Sequence, residues 1–211
     1  MVLDTKRDSV EFILEPIARS LTRLSPNTVS WIAFALAVLA GVAIVASPQM
    51  WQVLLPVSAL LVILSGLFDA LDGKVARLTG KESRRGDLLD HVLDRYADVI
   101  MVGAVAVSAW CDPYLGILAI IGMLMTSYMG TQCQAIGAGR LYSGLLGRAD
   151  RVVLLTIAPL LQMAFMLFSD GWIGIGPVSF SAFELVMLWF AVVGNITAVQ
   201  RALRIWKMVP P

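Results

Sequence analysis

A chain of 211 residues that is 58% hydrophobic and only 15% charged does not have the composition of an ordinary soluble domain. Its length is better divided into membrane spans of about 20 residues each. A net charge of +1 singles out no partner by bulk charge, and Cys111 and Cys133 lack metal-like spacing or a companion cluster.

The opening VLDTKRDSVEF is charged, so no cleavable signal peptide is expected there. Residues 8–24 read as an amphipathic helix. Val10, Ile13, Leu14, Ile17, Leu21 and Leu24 recur at the helical period, while Asp8, Glu11, Glu15 and Arg19 take the other side. Pro16 is a candidate kink. The segment is too polar to span and is expected to lie along the membrane surface. SPNTVS, from Ser25, then supplies a turn and a helix cap.

Six spans follow by hydropathy, at about 28–47, 52–78, 87–109, 114–136, 151–168 and 182–203. The expected architecture is an all-α integral membrane protein, one domain over 1–211: a juxtamembrane helix in 1–25 and a six-helix core in 26–211. With this division all sixteen Lys and Arg residues fall on one side, together with both termini. The positive-inside rule makes that side cytoplasmic, at the plasma membrane. The Gly-rich GWIGIGP at 171–177 lies on the other side and is expected to be a flexible connector.

Between the second and third spans stands FDALDGKVARLTGKESRRGDLLDHVLDRYAD, with seven of the chain's fifteen acidic residues. Asp69 and Asp72, three apart, share a helix face with Gly73 and Ala76 beside them. Asp90, Asp94 and Asp98, spaced by four, share another. The short LTGKESRRG connection lets the two helices pack antiparallel and brings these faces together. Carboxylates that close require protonation or a cation. Hard divalent ions prefer oxygen ligands, and no His or Cys cluster offers a zinc site. Gly73 and Ala76 leave room for a bulky group to approach the backbone. Glu82, Arg84, Arg85 and Asp87 sit at the interface and read as a solvated face. Asp98 reads as a structural partner of Arg95 or of a neighbouring helix. His91, the only histidine, points away from Asp90 and is expected to pair with Asp87 or to pack.

An ion or proton pathway would also use intramembrane acids, but it would need polar groups reaching the far side, where the spans offer almost none. A purely structural membrane protein has no reason to set four carboxylates face to face.

Asp69-x-x-Asp72-Gly73-x-x-Ala76-Arg77, eight residues, then Gly86-x-x-x-Asp90-x-x-x-Asp94 resembles the signature of the CDP-alcohol phosphotransferase family. The resemblance implies transfer of a phosphate-linked lipid group from a CDP-activated donor to an alcohol, with release of CMP. It implies that Asp69, Asp72 and Asp90 bind divalent metal, Mg²⁺ or Mn²⁺, two ions per site. Asp94 would add to that metal site and act as the general base. Asp69, Gly73, Ala76, Arg77 and Gly86 would hold the nucleotide, and members usually form homodimers. Gly103, Ala104 and Ala106 are candidates for a helix interface. Direct attack by the acceptor hydroxyl on the β-phosphorus is favoured over an aspartyl intermediate, because the motif acids are wanted as ligands.

Arg140, Arg148 and Arg151 lie between the fourth and fifth spans. They could clamp a phosphate through bidentate donors, which favours an acceptor that already carries phosphate; headgroup contact and plain positive-inside topology are the bland alternatives. The small chain, the ILEPIA segment and GRLYSGLLGRADR resemble archaeal family members that use CDP-archaeol and an inositol phosphate. Gly130 and Gln132 stand where related bacterial members often carry basic residues. Glycerol 3-phosphate is therefore the alternative to inositol 1-phosphate.

Overall fold

The structure, a computed structural model, describes residues 7–137, 139 and 146–209. Seven helices carry it: α1 (Arg7–Ser20), α2 (Pro26–Ala46), α3 (Trp51–Thr79), α4 (Arg84–Val107), α5 (Pro113–Ala135), α6 (Arg148–Phe168) and α7 (Ala182–Met208). Local chemistry sets their starts. Ser25 Oγ accepts from the Thr28 amide at 3.1 Å ahead of Pro26, whose missing N–H costs nothing in a first turn. Ser83 caps α4 in the same way, and Asp112 caps α5 before Pro113. Gly80 ends α3 at φ 63°, the left-handed conformation that glycine adopts without steric cost. The short stretch from Gly80 to Ser83 then returns the chain as α4, as the sequence requires.

Five helices are long and apolar enough to cross a membrane: α2, α3, α5, α6 and α7. Of the six expected spans, α4 is the one outside that set, because it carries Asp87, Asp90, Asp94 and Asp98 with their basic neighbours. The protein is a multi-pass membrane protein built on helix-to-helix contacts. α2 packs on α3 and α4, α6 packs on α3, and α5 packs on α4 and α7. Phe183, Phe190, Leu55, Leu155 and Met123 are fully buried at its centre. Helix α1 continues unbroken through Pro16 and lies on a second, smaller cluster. There Leu14, Ile17 and Leu21 meet Val29, Leu71 and Val75.

Small residues close these helices together. Ala104 and Ala106 are buried inside the chain, against the backbone positions of Gly41 on α2 and Gly116 on α5. The helix interface expected of these two residues is present as a contact within the chain. Gly103 has no neighbour where a Cβ would stand.

Two features depart from the sequence reading. Residues 173–180 form an antiparallel hairpin, β1 (Ile173–Ile175) with β2 (Val178–Phe180), instead of a flexible connector. Gly176, at φ 65°, makes its turn. In α7, Phe190–Gly194 is a π turn. A Cβ on Gly122 would stand 2.7 Å from the Phe190 carbonyl, so α5 and α7 touch backbone to backbone there. Asn195 Nδ2 donates to the Ala191 carbonyl at 2.7 Å and to the Leu118 carbonyl at 3.1 Å, and Thr126 Oγ1 donates to the Gly194 carbonyl at 2.8 Å.

A polar knot joins the helices at the end remote from the acidic motif. Trp110 Nε1 donates to Ser47 Oγ at 2.7 Å. Glu184 accepts from the Asp112 amide at 2.9 Å and the Ser181 amide at 3.2 Å. Gln162 accepts from the Ala182 amide at 2.8 Å and donates to the Gly171 carbonyl at 2.9 Å. Ser181 Oγ donates to the Trp110 carbonyl.

Candidate active site

The basic ends of α2, α3, α4 and α6 surround a cleft of about 1040 Å³. Helix α3 reaches it with Asp69, Asp72, Gly73, Ala76 and Arg77, and α4 with Gly86, Asp90 and Asp94. The antiparallel pairing expected from the short connection thus brings the two acidic faces together.

One ligand atom from each of Asp69, Asp72 and Asp90 lies within 4.8 Å of the others. Three carboxylates and no imidazole or thiolate make an oxygen donor set, which fits a hard divalent cation and not zinc. Asp72 is 6% exposed and held rigidly. Its Oδ2 accepts from Ser30 Oγ at 2.5 Å, and its Oδ1 from the Gly73 amide at 2.5 Å. Ser30 was not singled out in the sequence; its only signal was membership of the SPNTVS segment.

Asp94 lies beside Asp69, and one guanidinium joins the two. Both of its oxygens accept from the guanidinium of Arg148, from Nη1 and Nη2, and Nη2 also donates to Asp69 Oδ1. Asp94, 8% exposed, is about as buried as Asp72. One turn further on, Asp98 accepts from Arg151 Nη1 at 2.5 Å and meets Arg95 Nη2 at 3.4 Å. The structural role expected of Asp98 holds. His91 turns back along α4, its Nδ1 2.9 Å from the Asp87 carbonyl, and Glu82, Arg84, Arg85 and Asp87 are exposed.

The basic residues expected to clamp a phosphate divide, Arg148 and Arg151 lying in the first turn of α6. Arg148 is partly exposed and lines the cleft. Arg151 also borders it, but is 5% exposed and committed to Asp98. Arg140 lies outside the described residues. Arg201 on α7, which the sequence reading did not single out, also faces the cleft. It is 5% exposed, with Nη1 donating to the Thr126 carbonyl at 2.5 Å. Its signal in the sequence was an arginine one turn inside the last apolar segment. Gly130 and Thr131 of α5 line the same wall.

A site of this kind can hold a cation against an anionic group, offer a carboxylate to a proton, and receive a second anion on arginine. Residues 23–197 match the family model described as CDP-alcohol phosphatidyltransferase. The archaetidylinositol phosphate synthase of Pyrococcus horikoshii is 30% identical over 161 residues, 75% of this chain and 82% of that protein. The phosphatidylinositol phosphate synthase of Cutibacterium acnes is 30% identical over 199 residues, 90% of each. Among solved structures, the Mycobacterium tuberculosis phosphatidylinositol phosphate synthase with CDP-DAG bound superposes with a TM-score of 0.70 at 26% identity, covering 92% of this chain and 94% of that one. The same enzyme in complex with manganese and citrate matches with a TM-score of 0.70 at 25% identity, covering 92% and 88%.

Proposed function

The chain belongs to the CDP-alcohol phosphatidyltransferase family, and on that premise we propose that it transfers an archaetidyl group from CDP-archaeol to inositol 1-phosphate, releasing CMP. The observation that carries this reading is the Asp69, Asp72 and Asp90 triad set in a cleft that Arg148 also lines. The named activities of the relatives support the inositol-phosphate acceptor and leave the lipid chains of the donor to experiment.

Asp69, Asp72 and Asp90 would hold Mg²⁺, and Asp94 would be the further carboxylate for a second ion. The metal supplies neutralisation of charge on the departing phosphate. Gly73, Ala76, Arg77 and Gly86 border the nucleotide, with no Cβ on Gly73 or Gly86 to obstruct it. Asp94 accepts the proton of the attacking hydroxyl. The acceptor oxygen bonds to the β-phosphorus while the pyrophosphate bond breaks, and its electron pair leaves with CMP. Arg148 receives the acceptor's phosphate as a charge-assisted fork. Arg151, fixed on Asp98, holds α6 against α4 so that Arg148 is presented correctly.

All six long helices from α2 to α7 cross the membrane, with α4 admitted because its acids face the cleft. Helix α1 lies in the interface plane. Both termini and the site face the cytoplasm at the plasma membrane, and the enzyme works as a homodimer. The test is CMP release by the purified protein with Mg²⁺ and CDP-archaeol or CDP-diacylglycerol. Inositol 1-phosphate, glycerol 3-phosphate, inositol and serine are supplied separately. Release with inositol 1-phosphate alone is the expected result. Release with glycerol 3-phosphate alone replaces the acceptor and leaves the chemistry standing.

A further inference from the structure

The hairpin between α6 and α7 has two unlike faces. Its strands pair Ile173 with Phe180 and Gly174 with Ser179. Side chains alternate along a strand, so Ile173, Val178 and Phe180 share one face while Gly174 and Ser179 share the other. The first face is apolar and open: Ile173 is 42% and Val178 50% exposed. No residue from Gly171 to Phe183 carries a charge. The two strands pack chiefly on each other and not down on the helices.

The root of the hairpin lies below the end of α6. One side chain grips both of its feet: Gln162 donates to the Gly171 carbonyl at 2.9 Å and accepts from the Ala182 amide at 2.8 Å. Gln162 stands about 9 Å of helix short of Phe168, at about 1.5 Å per residue. The strand from Trp172 to the turn at Gly176 spans about 13 Å, at about 3.3 Å per residue. A hairpin rising from that root beside α6 therefore spends most of its length level with the last turns of the helix. There Leu167 and Phe168, on a membrane span, are 60% and 89% exposed. The open face of the hairpin continues their apolar surface.

Two short strands alone are not a stable unit in water. Their open edges carry unpaired N–H and C=O groups, which the hydrocarbon centre of a bilayer does not accept. The boundary between headgroups and acyl chains meets both needs, and Trp172 at the foot of β1 is of the residue type enriched there. We infer that the hairpin is a membrane-boundary anchor. Its Ile173, Val178 and Phe180 face is seated in lipid at the headgroup–acyl boundary of the leaflet remote from the acidic motif, with Gly174 and Ser179 turned to water. Through Gln162 the seat is tied to α6 and to the first residue of α7. The inference rests on the spans and not on the choice of donor or acceptor.

The test places a nitroxide spin label at V178C and, separately, at S179C, in the full-length protein in phosphatidylcholine nanodiscs. Both positions are exposed, so neither substitution removes a buried contact. The native Cys111 and Cys133 are buried, and the parent protein taken through the same labelling gives the blank. Power saturation compares relaxation by oxygen, which concentrates in lipid, with relaxation by a water-soluble nickel chelate. Oxygen should dominate at 178 and the chelate at 179, a reversal between neighbouring residues. Dominance of the chelate at both positions puts the hairpin in water and overturns the anchor. Dominance of oxygen at both buries the whole hairpin in lipid and overturns the two-faced seating. Weak relaxation by both reagents at 178, with dipolar coupling between labels, means that an open strand edge has paired with a second copy, and overturns it as well.

Discussion

The two ends of the helical bundle use buried polar groups in opposite ways. At the end remote from the acidic motif, Trp110, Ser47, Ser181, Glu184 and Gln162 bond largely to backbone amides and carbonyls. The carboxylates there accept from backbone amides, Glu184 from Asp112 and Ser181, and Asp112 from Tyr114 and Leu115. At the basic end, carboxylates face one another and an arginine across a cleft. The contrast shows how to separate structural polarity from functional polarity in an apolar chain. A buried polar group satisfied by backbone holds the fold. Carboxylates gathered against one another are there for something that arrives from outside.

The comparison predicts where mutations will separate activity from stability. The largest effect belongs to the triad: Asp69→Asn should abolish transfer. It should also remove the thermal stabilisation that Mg²⁺ with CMP confers, which is about 2.7 kcal/mol at a ligand concentration one hundred times Kd. If that stabilisation survives in the variant, the metal assignment fails. Next, Asp94→Asn should lower kcat by about 10²- to 10⁴-fold, the range for a general base, while keeping stabilisation by Mg²⁺ and CMP. Parallel loss of both would make Asp94 chiefly a ligand.

At the other end the readouts reverse. Glu184→Ala leaves the Asp112 and Ser181 amides without a carboxylate and should cost about 1–3 kcal/mol in denaturant or thermal unfolding. Turnover per folded molecule should be unchanged. Trp110→Phe removes one bond, to Ser47, and should cost about 0.5–1.5 kcal/mol. The smallest signal concerns Cys111 in the loop before α5. Burial first, then the nearby carboxylates of Glu184 and Asp112, push its thiol up to about 12. The thiolate is the reactive form, so at about pH 8 iodoacetamide should leave Cys111 unmodified by peptide mass spectrometry until the protein is unfolded. Rapid alkylation of the folded protein would show that this end is looser than its hydrogen bonds imply.

Much of the architecture was legible because membrane helices write themselves as long apolar runs, and because the Asp spacings of three and four place side chains on one helix face. The triad was legible for the same reason, once a short connection forced α3 and α4 to pair. The partners of Asp94 and Asp98 were not. Arg148 and Arg151 come from 54 and 53 residues away, and only the packing of α6 on α3 brings them in. Ser30 is legible as a helix residue but not as the group that orients Asp72, since a hydroxyl on an apolar helix has no periodic signature. The hairpin at 173–180 was obscured by three glycines, which read as freedom where Gly176 supplies one required turn. Ala104 and Ala106 show the converse difficulty: small residues mark close helix contact, but not whether the neighbour belongs to the same chain.

The π turn in α7 carries a consequence for how this chain can change. Such a turn holds one residue more than an α turn, and each residue advances a helix by about 100°. A single helical wheel drawn over 182–208 therefore mixes two phases and misassigns the faces of its second half. Deleting one residue between Phe190 and Gly194 would leave an uninterrupted α-helix with Arg201 still on the cleft, whereas the same deletion between Asn195 and Arg201 would turn the two ends of the segment about 100° out of phase. The π turn is thus a store of one residue: a one-residue gap is absorbed there and nowhere else in the segment.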